Sequence, residues 1–177
     1  STFTKKNLLQ ISKSLSSEQN RFNIILGGGD TTFSNKLSFT ITSLGYSNKI
    51  IYRNRAKLND DIYVTGNIGD SFLGLQLLNK KIKTNNKIRK FFISKYYQPD
   101  LPLKLSQYLF KFANTSIDIS DGLIDDLTKL INRQNLSFSL NAKNIPISQN
   151  LTNLIKKKSL KKLDLICNGD DYQILFT

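Results

Sequence analysis

At 177 residues the chain has room for one well-buried core, or for one domain and part of another. Its apolar runs fall far short of a membrane span, and a single cysteine, Cys167, excludes an internal disulfide framework and suits a reducing cytoplasm. The net charge of +13 comes from 21 scattered lysines and only five arginines, so it specifies no nucleic-acid partner and fits anionic small substrates equally well.

In chain order, apolar spacing at Leu8, Leu9, Ile11 and Leu15 predicts a helix over residues 6–15. Residues 22–26 read as an apolar strand, and residues 37–44 as a half-buried one with Leu37, Phe39 and Ile41 on one face. A polar, basic connector over residues 46–57 is the expected domain boundary. Beyond it, residues 60–66 predict a strand and glycine turn, and Gly69-Asp70-Ser71 opens a helix in which Asp70 or Ser71 is the expected N-cap. Helices are expected over residues 88–96 and 103–113, separated by Pro99 and Pro102. A strand over residues 136–140, a short helix over 150–157 and a buried strand over 173–176 complete the pattern, that of a mixed α/β or α+β protein.

Three stretches are candidates for chemistry as well as for folding. Gly27-Gly28-Gly29-Asp30-Thr31-Thr32 offers backbone N–H groups to a phosphate and, in Asp30, a ligand for its cation, although a plain turn between strands is the simpler reading. Ser116 to Leu123 runs from a strand into an amphipathic helix with Asp118, Ser120 and Asp121 at the corner. Ser120 is placed to cap that helix, and both carboxylates are placed either for the helix end or for a metal-bound phosphate. Asn168-Gly169-Asp170-Asp171-Tyr172 precedes the final strand. The sequence contains no histidine, so general-base chemistry would fall to carboxylates, or the reaction needs little proton transfer.

Taken in order, Gly28-Gly29-Asp30-Thr31-Thr32, Arg53 to Lys57 with Asp60 to Gly66, Gly69-Asp70-Ser71, Ile117 to Leu123 and Gly169-Asp170-Asp171-Tyr172 resemble the thiamine-monophosphate kinases of the aminoimidazole-ribonucleotide-synthetase-like superfamily. That resemblance implies ATP-dependent, magnesium-requiring phosphorylation of thiamine monophosphate to thiamine diphosphate in the cytoplasm. It also implies a homodimer and no nucleic-acid or membrane partner. By position, Asp30, Asp118 and Asp121 would be magnesium ligands, and Gly29, Asp30, Arg53 and Ser120 would contact ATP. Asp170 would bind the thiamine substrate. No residue is assigned a covalent or acid–base role. The implied architecture is the end of an N-terminal α/β domain that binds ATP and magnesium (residues 1–50), followed by an α+β C-terminal domain incomplete at its end (residues 51–177). The sequence departs from the family pattern at Arg55, where a glycine is usual, and at Asp170, where a glutamate is usual. The chain is expected to be a piece of a longer protein and to be inactive alone. The rival readings are another ATP-using synthetase of the superfamily and a basic nucleic-acid-binding module.

Overall fold

The computed structural model describes residues 3–177, which divide between Gly45 and Tyr46 into two compact units. No described helix is long and apolar enough to cross a membrane.

The first unit is built on helix α1 (Lys5–Phe22), longer than the apolar spacing predicts. Thr4 and Asn7 close its first turn reciprocally: the Asn7 N–H donates to the Thr4 hydroxyl and the Thr4 N–H to the Asn7 side chain. Asn23 ends the helix in the left-handed conformation at φ 52°. The strand expected over residues 22–26 does not form. Phe22 is the helix's last residue, and the Ile24 and Leu26 N–H groups turn back to the Gln19 carbonyl and side chain. Nor do residues 37–44 form a strand. Leu37, Phe39 and Ile41 keep their alternation but stay exposed, because no described segment supplies a ladder partner.

The second unit mixes helices with a three-stranded sheet. Its strands are β1 (Tyr63–Val64), β2 (Ser116–Asp118) and β3 (Ile174–Phe176), in the order β1-β3-β2, with both pairs antiparallel. Leu175 is fully buried at the centre, opposite Val64 on one side and Ile117 on the other. Asp60 ties the sheet's end together, since its carboxylate accepts from the Asn114 side chain and the Thr177 hydroxyl.

Six helices surround this sheet: α2 (Asp70–Leu78), α3 (Asn86–Tyr97), α4 (Leu103–Ser106), α5 (Leu123–Leu130), α6 (Gln149–Lys158) and α7 (Lys162–Ile166). Two apolar cores result. One gathers Leu123, Leu127 and Leu130 of α5 against Ile68, Ile119, Ile166 and Leu175. The other gathers Leu73 and Leu77 of α2 against Phe92 of α3 and Leu151 and Leu154 of α6.

Two sequence expectations fail here for physical reasons. The helix expected over residues 103–113 breaks into α4 and a 3₁₀ turn over Leu109–Lys111. Of its apolar residues only Leu109 is buried, so no continuous face holds a longer helix together. Residues 136–140 form no strand either. Leu136, Phe138 and Leu140 pack half-buried on the first core, but no neighbouring backbone completes a ladder.

Candidate functional site

The corner between β2 and α5 is shaped by a residue that the motif reading passed over. Asp126 lies on the buried side of α5, one helical turn beyond Leu123, and is 1% exposed. One of its carboxylate oxygens accepts the N–H groups of Ser120 at 2.9 Å, Asp121 at 2.9 Å and Gly122 at 3.1 Å. Its other oxygen accepts from Lys129 Nζ at 2.8 Å. These bonds hold the Asp126 carboxyl below the ordinary carboxylate range, against the opposing pull of its burial. The expectation that Ser120 caps α5 is therefore corrected: Gly122 takes the cap position without a side-chain bond, and Asp126 reaches back from inside the helix to the N–H groups of the turn that precedes it. The sequence did carry a signal for this residue, a carboxylate on an otherwise apolar helical stripe.

With its backbone so fixed, the corner presents Asp118, Ser120 and Asp121 to one cleft of about 590 Å3. Arg53, Asp126 and Lys129 line the same cleft. Lys129 pairs with Asp121 as well as with Asp126, and both carboxylates push its ammonium pKa upward.

Arg53 reaches this wall because the connector around it is docked on the end of α5. The Tyr52 carbonyl accepts from the Thr115 hydroxyl at 2.7 Å, and the Asn54 N–H donates to the Leu130 carbonyl at 2.7 Å. The Asn54 side chain accepts from the Arg133 N–H, and Ala56 exchanges two bonds with the Gln134 side chain. The left-handed residue of this turn is Asn54, at φ 60°. Arg55 stands in ordinary backbone, so it does not spoil the turn; it faces a separate hollow beside Lys49 and Phe110.

The Gly169–Tyr172 loop, distant in sequence, lies directly on the corner. The Asp170 N–H donates to the Ser120 carbonyl at 3.0 Å and the Tyr172 N–H to the Ile119 carbonyl at 2.8 Å. A Cβ on Gly169 would lie 1.8 Å from the Ser120 carbonyl oxygen, so only glycine permits this approach. Gly122 is constrained likewise, with φ 128° and the Cys167 carbonyl 2.3 Å from where a Cβ would stand.

The second motif carboxylate, Asp171, turns inward and is 3% exposed. It accepts the Gly69 N–H at 2.7 Å and the Ser71 N–H at 3.3 Å at the start of α2. Neither Asp70 nor Ser71 caps that helix, contrary to expectation; Asp171 does so from about a hundred residues away. Asp70 is buried beside it and accepts from the Ser148 hydroxyl at 2.7 Å. Burial pushes Asp70 up to about 6 and Asp171 up to about 7.

Thus Arg53, Asp118, Ser120, Asp121 and Asp170 gather in the second unit. Gly29 and Asp30 belong to the first unit, where both are exposed and the Asp30 carboxylate accepts the Thr31 N–H at 2.7 Å. Among the described residues no cluster of three His, Cys, Asp or Glu side chains forms a metal cage. The hard oxygens of Asp118 and Asp121 nonetheless fit magnesium, which is usually held by one or two carboxylates together with water and substrate phosphates.

No protein-family model matches the chain. Among curated proteins it is 38% identical over 161 residues to a thiamine-monophosphate kinase of Buchnera aphidicola subsp. Acyrthosiphon pisum, covering 89% of this chain and 49% of that protein. Its identity to the thiamine-monophosphate kinase of Haemophilus influenzae is 35% over 170 residues, covering 94% and 51%. The chain therefore spans about half the length of the curated relatives it matches. The crystal structure of thiamine-monophosphate kinase from Aquifex aeolicus superposes with a TM-score of 0.67 at 29% identity, over 74% of this chain and 45% of that one. A structure described as AaThiL complexed with AMPPCP and TMP superposes with a TM-score of 0.65 at 30% identity, over 71% and 41%.

Proposed function

We propose that the chain belongs to the thiamine-monophosphate kinase family, and that the whole protein transfers the γ-phosphoryl group of ATP to the phosphate of thiamine monophosphate. The observation that carries this reading is the one cleft that gathers Arg53, Asp118, Ser120 and Asp121, with the Gly169–Tyr172 loop hydrogen-bonded to the Ile119 and Ser120 carbonyls of the same corner. Phosphoryl transfer asks a protein mainly for positioning and charge neutralisation. The acceptor here is a phosphate oxygen, already anionic near neutral pH, so a site without histidine suffices.

In this reading Asp118 and Asp121 hold magnesium, which when bound neutralises phosphate charge. Ser120 and Arg53 contact the nucleotide, with Arg53 on its phosphates. Asp170 faces the thiamine substrate across a carboxylate one methylene shorter than the glutamate usual in the family. Gly29 and Asp30 are assigned to nucleotide and magnesium by the family resemblance alone. The same resemblance supports the two-domain arrangement, the homodimer and the cytoplasmic setting of the whole protein.

The test is magnesium-dependent turnover of thiamine monophosphate. In the full-length protein Asp118→Asn is expected to abolish turnover while the circular dichroism spectrum and thermal midpoint stay close to wild type. Turnover that survives this substitution refutes the role of Asp118. A parallel assay with a different acceptor, formylglycinamidine ribonucleotide, is expected to give none; activity there would favour another synthetase of the superfamily.

A further inference from the structure

We infer that Asp171 is a positioning residue for the neighbouring Asp170, clamping the loop that carries it to the N-terminus of α2. This inference rests on the proposed role of Asp170 in binding thiamine monophosphate. Asp170 stands at φ 69° and Tyr172 at φ 51°, left-handed conformations that side-chain-bearing residues adopt only when their surroundings impose them. Among the described residues no donor is bonded to the Asp170 carboxylate, so the loop backbone is what sets the point from which this side chain projects.

That backbone is held from two sides. On the corner side, Asp170 and Tyr172 donate to the Ser120 and Ile119 carbonyls. On the other side, the Asp171 carboxylate spans the Gly69 and Ser71 N–H groups, joining the loop to a helix whose Leu73 and Leu77 anchor the second core. Gln173 reinforces the loop, donating to the Asp171 carbonyl at 3.3 Å and to the Asp100 carbonyl at 2.7 Å. Asp70, next to the clamp, is tied through Ser148 to the start of α6. A buried carboxylate spent on two amides of a distant helix holds in place the backbone that carries its half-buried neighbour.

The experiment compares Asp171→Asn and Asp170→Ala with wild type in the full-length protein. Asparagine keeps one acceptor and loses the second bond and the charge. Asp171→Asn is expected to raise the KM for thiamine monophosphate about tenfold, as a small misplacement of a substrate contact does. The KM for ATP is expected to stay within about twofold, a split that general loss of structure would not give. Equal movement of both KM values, or of neither, overturns the inference. If Asp170→Ala shifts the KM for thiamine monophosphate and Asp171→Asn does not, the clamp alone falls. If Asp170→Ala has no effect, the substrate reading falls and the inference with it. Should Asp171→Asn fail to fold, amide hydrogen exchange on the wild type decides the matter. Thiamine monophosphate is expected to slow exchange of the Gly69 and Ser71 amides as well as those of Asp170 and Tyr172; unchanged Gly69 and Ser71 rates overturn the clamp.

Discussion

Replacing Asp126 tests how the corner is built. In Asp126→Ala three backbone N–H groups and the Lys129 ammonium lose a partner at 2.8–3.1 Å. Their costs differ with access to water. Gly122 is buried, so its N–H carries most of a charged hydrogen bond's worth, about 2 kcal/mol. Ser120 is half-buried and loses about 1 kcal/mol, while exposed Asp121 and the half-exposed Lys129 ammonium regain water at little cost. The sum is about 3 kcal/mol for Asp126→Ala. Asp126→Asn behaves differently because all three N–H groups converge on one oxygen, which an amide retains. Its new NH2 group meets the Lys129 ammonium, donor against donor, and the expected loss is about 1 kcal/mol. Urea unfolding followed by circular dichroism measures both. Loss below about 1 kcal/mol for alanine, or equal losses for the two variants, would refute the convergence of the corner on a single carboxylate oxygen.

Two further outcomes follow from the same geometry. Gly169→Ala would drive a Cβ into the Ser120 carbonyl, so the loop must leave the corner; a thermal midpoint lowered by several degrees is expected, and an unchanged midpoint would contradict the packing. Stability is also expected to depend on pH through Asp70 and Asp171, whose carboxyls are raised from 3.8 to about 6 and about 7. A raised folded value means that the folded chain binds these protons more tightly than the unfolded chain. Their contribution is therefore complete below about pH 4 and lost as pH rises through 6 and 7, so acidification from about pH 7.5 to about 5.5 should stabilise by about 2 kcal/mol. Below about pH 4 the depressed Asp126 and Asp60 carboxyls become protonated and reverse the trend. Urea midpoints that stay level or fall as the pH drops from about 7.5 to about 5.5 would show that Asp70 and Asp171 are not held in a desolvated setting.

Local pattern was enough to read the elements that carry their own signals. The stripe of Leu123, Leu127 and Leu130 specifies α5, because an amphipathic helix satisfies its own backbone and needs a neighbour only for one face, and the dense apolar run of residues 72–78 specifies α2 as a largely buried helix. The ordered motifs also named the stretches that gather in the second unit, since the types Asp, Ser, Gly and Arg state their chemistry wherever they stand. Strands were less legible. Residues 37–44 and 136–140 alternate as well as β2 does, yet only β2 has a ladder partner, and alternation says nothing about who that partner is.

Tertiary structure alone decided how the carboxylates divide their work. By residue type alone Asp118, Asp121 and Asp126, or Asp170 and Asp171, are equivalent; the motif resemblance names Asp118, Asp121 and Asp170 but supplies no physical reason for the choice. Folding sends Asp126 and Asp171 inward to backbone N–H groups, and leaves Asp118 and Asp121 on the cleft and Asp170 half-buried on the adjoining loop. The reason is desolvation: a buried carboxylate must find donors, and free donors occur where a helix or a strand-to-helix turn begins. For Asp171 that meeting spans about a hundred residues, whereas Asp126 reaches N–H groups only four to six residues before it. The sequence therefore determined the acidic chemistry and the helical framework, and the fold chose which acids brace the corner and which face outward from it.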